Sequence, residues 1–122
     1  MIPKKWKTIW TGSATTGNEI NTGVDFNTIK RIRFKDNKSK CWHEANIDSF
    51  LKGEDIAWSV IYNHFEAALT RFYDFCLKMD NKTSGSIFIG RCGYVFEYAT
   101  DNKLVFNNAS NGKIEAIEVI YK

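Results

Sequence analysis

Both ends of the chain carry the alternating polar and apolar pattern of a β-strand, and this pattern constrains the fold more than any other feature. Near the N-terminus, residues 5–11 (KWKTIWT) put Trp6, Thr8 and Trp10 on one face of a predicted strand. Near the C-terminus, residues 113–121 (KIEAIEVIY) predict a second strand. Short apolar runs separated by Asn, Asp, Gly and Ser lie between them. Because such residues end strands in turns, the layout predicts an all-β domain.

The composition agrees with a sheet and argues against several classes of protein. The chain has 122 residues, enough for one domain with its own core. Aromatic residues make up 15% of it and favour the pleated surface of a strand. The net charge of +3 is too small to indicate nucleic-acid binding. No apolar run approaches the roughly 20 residues of a membrane-spanning helix. We therefore expect one domain over residues 1–122, with no nucleic acid bound and no membrane insertion.

The remaining strands follow the same pattern. They are predicted near residues 18–21, 28–35, 40–45, 86–90, 94–98 and 103–106. Asn111 followed by Gly112 is typical of a two-residue hairpin turn, and predicts that the last two strands pair. The expected fold is a single-domain antiparallel β-sandwich, jelly-roll-like, because several short strands at regular spacing favour that architecture.

Residues 56–79 fit two periods. A helix is indicated by the 4-3-4-3 spacing of Phe65, Leu69, Phe72, Cys76 and Met79. A strand is indicated by the alternation of Leu69, Tyr73, Phe75, Leu77 and Met79. The whole-chain pattern favours the strand, and one helix within residues 56–79 is left open.

Residues 41–44 (CWHE) place three potential metal ligands within four positions. Zinc needs four ligands, usually from two separated pairs, and no second pair has suitable spacing. Three Cys and two His residues allow a nucleophile–base pair only by chance, and no catalytic motif is present. We therefore expect no metal, no cofactor and no enzymatic activity. The three cysteines are expected to be buried and reduced, and His43 to lie on the surface.

Aromatic rings beside hydrogen-bonding side chains indicate a ligand-binding site in the middle of the chain. The candidate residues are Trp42, His43, Glu44 and Trp58. Pyranose rings stack on such aromatic rings. Aromatic residues are equally enriched where subunits pack together, so glycan binding and assembly both stay open.

A basic stripe forms the largest charge asymmetry. In residues 28–35, Arg31, Arg33 and Lys35 alternate with Ile32 and Phe34. The stripe could contact phosphates or acidic polymers. A solvated strand face, whose charges also prevent edge-to-edge aggregation, is the favoured interpretation, because the aromatic residues of this segment point the other way.

Two segments carry a family resemblance. Residues 9–14 (IWTGSA), a gap to Gly17 and residues 26–34 (FNTIKRIRF) form an opening pattern, and residues 114–120 (IEAIEVI) form a closing one. These segments resemble the small β-sandwich modules of phage tail, baseplate and minor structural proteins. The resemblance leaves the middle of the chain unmatched.

The resemblance implies a virion component rather than an enzyme. Such modules serve as tail, baseplate or decoration domains, are commonly trimeric, and some bind host-surface glycans. The implied partners are other virion proteins, further copies of the chain in a trimer, and a glycan. The alternatives are a free-standing carbohydrate-binding module or lectin, and a small enzyme. The N-terminus lacks the apolar segment of a signal peptide, so assembly in the host cytoplasm is expected.

Overall fold

The computed structural model describes residues 4–64, 69–98, 104–107 and 112–122, which form two antiparallel sheets. The strands are β1 (Lys7–Ala14), β2 (Glu19–Asn21), β3 (Ile29–Asp36), β4 (Trp42–Ala45), β5 (Ile56–His64), β6 (Leu69–Asn81), β7 (Ser86–Tyr98), β8 (Leu104–Asn107) and β9 (Ile114–Tyr121). A 3-10 turn at Phe26–Thr28 precedes β3, and the short helix α1 (Ile47–Leu51) precedes β5. The all-β sandwich predicted from the sequence is confirmed.

Sheet A has the strand order β1-β9-β3-β4, so the last strand lies between the first and the third. Thr8 of β1 is opposite Glu118 of β9, and Glu118 is in turn opposite Arg33 of β3. On its other side, Arg33 is opposite Glu44 of β4. The register therefore aligns these four residues in one row across the sheet.

Sheet B has the order β2-β7-β6-β5, and β8 also pairs with β7. The two long strands β6 and β7 pair with each other over most of their length. On the other edge of β7, β2 pairs with residues 86–88 and β8 with residues 95–98. β2 and β8 thus lie at opposite ends of one edge of the sheet.

The helix left open within residues 56–79 does not form in β5 or β6. β5 pairs with β6 in continuous register, from Ile56 opposite Leu77 to His64 opposite Leu69. Tyr73, Phe75 and Leu77 are buried, as the alternating pattern predicted. Pairing on both edges of β6 satisfies its backbone and buries one face, which outweighs the local helix propensity. Residues 65–68 lie outside the described part.

One predicted strand boundary and one predicted strand pairing are wrong. β7 runs without interruption through residues 90–94, because the register with β6 shifts so that Gly90 forms a bulge between Ile89 and Arg91. The pairing of the last two strands, predicted from Asn111 and Gly112, is wrong because β8 pairs within sheet B and β9 within sheet A. Residues 108–111 themselves lie outside the described part.

The core between the sheets extends beneath α1. The Asn46 side chain caps α1 by accepting a hydrogen bond from the Ser49 amide at 3.1 Å. Phe50 is fully buried and packs edge-on against Phe26 at 5.2 Å between ring centroids. Phe34 of β3 lies 6.1 Å from the Phe50 ring. This aromatic contact holds α1 against the sandwich despite its short length.

β1 does not present Trp6, Thr8 and Trp10 on one face as its alternation predicts. The register with β9 shifts between Thr8 and Trp10, so Ile9 lies at an irregularity. Trp10 is consequently opposite Ile117, a fully buried residue, and packs against the core. Trp6 and Thr8 stay on the outer face of sheet A.

We predict that Gly85→Ala destabilises the fold strongly. Gly85 has φ +66°, a conformation that favours glycine, and an added Cβ would overlap the Val24 carbonyl oxygen and the Thr22 hydroxyl. The expected loss is about 3 kcal/mol of unfolding free energy from backbone strain plus overpacking. Urea unfolding measures it. Gly53→Ala is the matched control, because Gly53 has φ +81° but nothing within 4 Å of the new Cβ. Equal losses in the two variants would contradict the steric argument.

Candidate functional site

The four predicted ligand-binding residues do not share one surface. β4 alternates, so Trp42 and Glu44 lie on the outer face of sheet A whereas His43 points inward. Trp58 of β5 also points inward, and its ring stacks on the His43 ring at 4.6 Å. The structure therefore divides the set into an outer pair and an inner pair.

On the outer face, an ion pair holds Arg33 in place. Its Nε donates a hydrogen bond to Glu118 Oε1 at 2.9 Å, and one terminal nitrogen bonds the same oxygen. The two side chains are only 24% and 17% exposed. Thr8 Oγ1 donates to the other Glu118 oxygen at 3.1 Å. Partial burial and two hydrogen bonds to Glu118, whose other oxygen is held by Thr8, fix the guanidinium more firmly than a solvent-exposed ion pair would.

Two indole rings flank this guanidinium. The Arg33 Cζ lies 4.2 Å from the centroid of the Trp6 ring and 4.5 Å from that of Trp42. Arg31 lies 5.0 Å from Trp6, and Lys35 lies 5.7 Å from Trp42. All four distances are within the range of cation–π attraction. We call this surface the Trp–Arg face; it comprises Trp6, Arg31, Arg33, Lys35 and Trp42.

The predicted basic stripe lies within this face, and its charge is largely compensated. Arg31 pairs with Glu44 at 2.5 Å, and Arg33 pairs with Glu118. Ile32 and Phe34 of the same strand point into the core, as expected. The aromatic rings at the stripe, Trp6 and Trp42, come from outside β3. The sequence reasoning missed Trp6 and Glu118. Their alternation placed them on a strand face, but nothing local indicated that β9 separates β1 from β3.

On the inner side, the Asp36 carboxylate is fully buried and accepts five hydrogen bonds. Its Oδ1 accepts from the backbone amides of Lys38 at 2.8 Å and Ser39 at 2.7 Å. Its Oδ2 accepts from Ser39 Oγ at 2.8 Å and from Trp58 Nε1 at 3.1 Å. His43 Nε2 lies 2.5 Å from the same oxygen. We call Asp36, Ser39, His43 and Trp58 the Asp36 cluster.

The Asp36 cluster joins the two sheets. Asp36 and His43 belong to β3 and β4 of sheet A, whereas Trp58 belongs to β5 of sheet B. The Trp58 ring also stacks on Phe75 of β6 at 5.3 Å. The expectation of a surface His43 is wrong because the buried carboxylate and the indole draw the imidazole inward, leaving its side chain 24% exposed.

The pKa of the Asp36 carboxyl lies below its ordinary value of 3.8. Burial alone would raise the pKa, because it disfavours the charged form. The hydrogen bonds from Ser39, His43 and Trp58 favour the charged form and outweigh burial. The carboxylate is therefore ionised at neutral pH.

The Asp36 cluster contains the residue types of a hydrolytic triad but not its geometry. In a Ser–His–Asp relay, the serine and the carboxylate contact opposite nitrogens of the imidazole. Here Ser39 Oγ, at 3.3 Å, and Asp36 Oδ2 both approach Nε2 of His43. Ser39 Oγ also donates to the carboxylate rather than to the ring. The arrangement satisfies a buried charge and does not prepare a nucleophile.

The three cysteines occupy different environments. Cys41 is exposed, Cys76 partly buried and Cys92 buried, and none forms a disulfide. The expectation of buried thiols therefore holds only for Cys92. Burial raises the pKa of the Cys92 thiol to about 12, with the Asp36 charge adding to the effect. Cys92 therefore stays protonated and unreactive at neutral pH.

The outer face of sheet B carries a shallow groove of about 360 Å³ around Cys76 and Phe88. Phe88 is 37% exposed. Arg91 Nε lies 3.3 Å from Asp74 Oδ2, so its charge is matched beside the groove. Charged side chains of both signs line this shallow groove. The groove therefore does not indicate one chemical class of ligand.

Within the described residues, no group of three or more His, Cys, Asp or Glu side chains is placed to hold a metal ion. No helix in that part of the chain has the length and apolar character needed to cross a membrane.

Comparisons with protein-family models, curated proteins and solved structures find no match to this chain. The Trp–Arg face and the Asp36 cluster therefore have to be interpreted from their own chemistry.

We predict that Asp36→Ala costs about 3 kcal/mol or more of unfolding free energy, because it leaves several buried donors without an acceptor. Urea unfolding at neutral pH measures the loss. Asp55→Ala is the control, since Asp55 is exposed and its removal should change stability by under about 0.5 kcal/mol. Similar values for the two variants would show that the cluster does not hold the sheets together.

We also predict that acid destabilises the wild-type protein through Asp36. Because its folded-state pKa is depressed, the unfolded chain takes up the proton first, and stability falls as pH drops below about 3.8. Above that pH, the ionised Asp36 makes its full contribution to the free energy of unfolding. Unfolding curves at neutral pH, near pH 4 and near pH 3 measure the slope. Asp36→Asn, which cannot ionise, should show a shallower loss; an identical slope would contradict the assignment.

Proposed function

We propose that this protein is a non-enzymatic binding and assembly module, a bacteriophage virion structural component of the tail, baseplate or decoration type, that acts through its Trp–Arg face. One observation carries the proposal: two partly buried indoles flank a guanidinium that is itself fixed by Glu118. The virion context comes from the resemblance of the two chain ends.

The composition of the Trp–Arg face suits macromolecular contact. Trp and Arg are enriched at the centres of protein interfaces and among the residues that contribute most to binding. A sheet surface is also rigid, so little conformational entropy is lost when a partner binds. The ion pair between Arg33 and Glu118 keeps the guanidinium between the rings before any partner arrives. These properties support a preformed contact surface.

The inner chemistry supports a scaffold role for the remaining polar residues. His43 and Ser39 both hydrogen-bond to the buried Asp36 carboxylate. Because Ser39 and Asp36 approach the same nitrogen of the His43 ring, the three residues cannot act as a catalytic triad. A small enzyme has no comparable observation in its favour.

A free-standing carbohydrate-binding module is the second candidate, and the same face favours it. Trp6 and Trp42 are accessible in part, and Thr8 and Glu44 place a hydroxyl and a carboxylate beside them. Sugar rings stack on aromatic faces while their hydroxyl groups hydrogen-bond to such side chains. In this case the Trp–Arg face would bind a glycan without a virion context.

Solution mass and gene neighbourhood separate the two candidates. A stable homo-oligomer, the trimer that the resemblance implies, together with flanking capsid, portal or tail genes, would support the virion component. A monomer with affinity for sugars, in an unrelated gene context, would favour the free-standing module.

We predict that Trp42→Ala and Trp6→Ala each weaken binding to bacterial cell envelopes or to glycans on an array by about tenfold or more, because aromatic anchors dominate such contacts. Surface plasmon resonance or array titration measures the change, with circular dichroism confirming that each variant folds. Phe88→Ala is the matched control, an exposed aromatic on the opposite outer face. Loss of binding in the control, with normal binding in both tryptophan variants, would refute the Trp–Arg face as the site.

A further inference from the structure

β5 forms one edge of sheet B, and its own sequence and pairing lack the charges, breaks and bulges that protect an edge strand. Its nine residues, Ile56–His64, contain no Asp, Glu, Lys or Arg, and no Gly or Pro. Its register with β6 continues without a bulge along the whole strand. Within the described part of the chain, no strand pairs with its other edge. A long, regular, uncharged edge is a template for pairing with another strand.

The other edges of the sandwich are protected. β1 contains Lys7 and Gly12, and its register with β9 shifts at two places. β4 has four residues, among them Glu44. β2 has three residues and β8 four. Short edges, charges and irregularities all discourage strand addition. β5 differs from every one of them.

The side chains of β5 leave apolar area incompletely covered. Ile56, Trp58 and Val60 face the core but are only partly buried, although their counterparts on β6 are buried. Ala57 and Ser59 face outward and are exposed. A strand placed alongside β5 would cover the open side of the three inward residues. The burial pattern therefore indicates an unfilled strand position.

We propose that β5 pairs with β5 of a second copy of this chain, antiparallel and about a two-fold axis, to join the two B sheets into one continuous sheet. Self-pairing suits this strand because antiparallel pairing about an axis near Val60 brings no like charges together. Because β5 contains no Asp, Glu, Lys or Arg, it offers no charge by which a strand of different sequence could recognise it. The pairing is isologous and closes, so each copy uses its free β5 edge once.

This contact is separate from the Trp–Arg face, which lies on the outer surface of sheet A. A two-fold contact gives even-numbered assemblies: a dimer alone, or a hexamer where a three-fold contact is also present. Failure of the β5 contact would leave the binding prediction for Trp42 unaffected. Failure of that binding prediction would equally leave the β5 contact standing.

The test is the double variant Ala57→Lys with Ser59→Lys. Both positions are exposed, so the lysines should leave the fold intact. In the proposed pair of β5 strands, two lysines from each copy would place four positive charges close together. Sedimentation over about a hundredfold range of concentration measures the dissociation constant. We expect wild type to form an even-numbered assembly and the variant to associate at least about tenfold more weakly.

The control variant is Thr11→Lys with Ser13→Lys, which adds the same charge at exposed positions of the β1 edge. It should associate as wild type does. Hydrogen exchange provides a second measurement: amides of residues 56–64 should become more protected as concentration rises, while those of residues 7–14 should not. A wild-type protein that stays monomeric, a trimer or open-ended polymer unaffected by the β5 lysines, or protection confined to β1 would each overturn the proposal.

Discussion

The pairing of β9 with both β1 and β3 is the constraint on which the rest of the structure depends. It brings β9 between β1 and β3, so sheet A is complete only when β9 has joined it. Loop-closure entropy makes such a long-range contact costly to form, and the burial of Ile114, Ile117 and Val119 between the sheets offsets that cost. The same pairing puts Glu118 beside Arg33, so the Trp–Arg face is a consequence of the topology.

The two faces of sheet A use their polar residues in different ways. Inside, the Asp36 carboxylate accepts hydrogen bonds from its own turn and from His43 and Trp58, which ties β3 and β4 to β5. A buried charge is tolerable only with this number of donors. Outside, Arg33 is held by Glu118 but remains partly accessible. Polar residues inside therefore stabilise the sandwich, and those outside are placed where a partner can reach them.

Alternation along individual strands was enough to predict much of this fold. Most strands of the first and last thirds, the buried positions Tyr73, Phe75 and Leu77, and the outward direction of Arg33 follow from a period of two. Two of the wrong predictions share one cause. Gly90 was interpreted as a strand end and Ile9 as a regular strand residue, but each lies at a bulge, where one extra residue changes the alternation without ending the pairing.

The candidate site was less predictable because its members are distant in sequence. By itself the sequence determined which segments are strands and which side chains of most strands face the core. Only the tertiary structure decided that Trp6 and Trp42 meet at Arg33, that His43 serves a buried carboxylate, and that β5 lies at the edge of sheet B. The physical reason is that local patterns report which face of a strand is apolar. Strand order, however, depends on the summed burial and pairing of the whole chain, and the order alone decides which outward faces become neighbours.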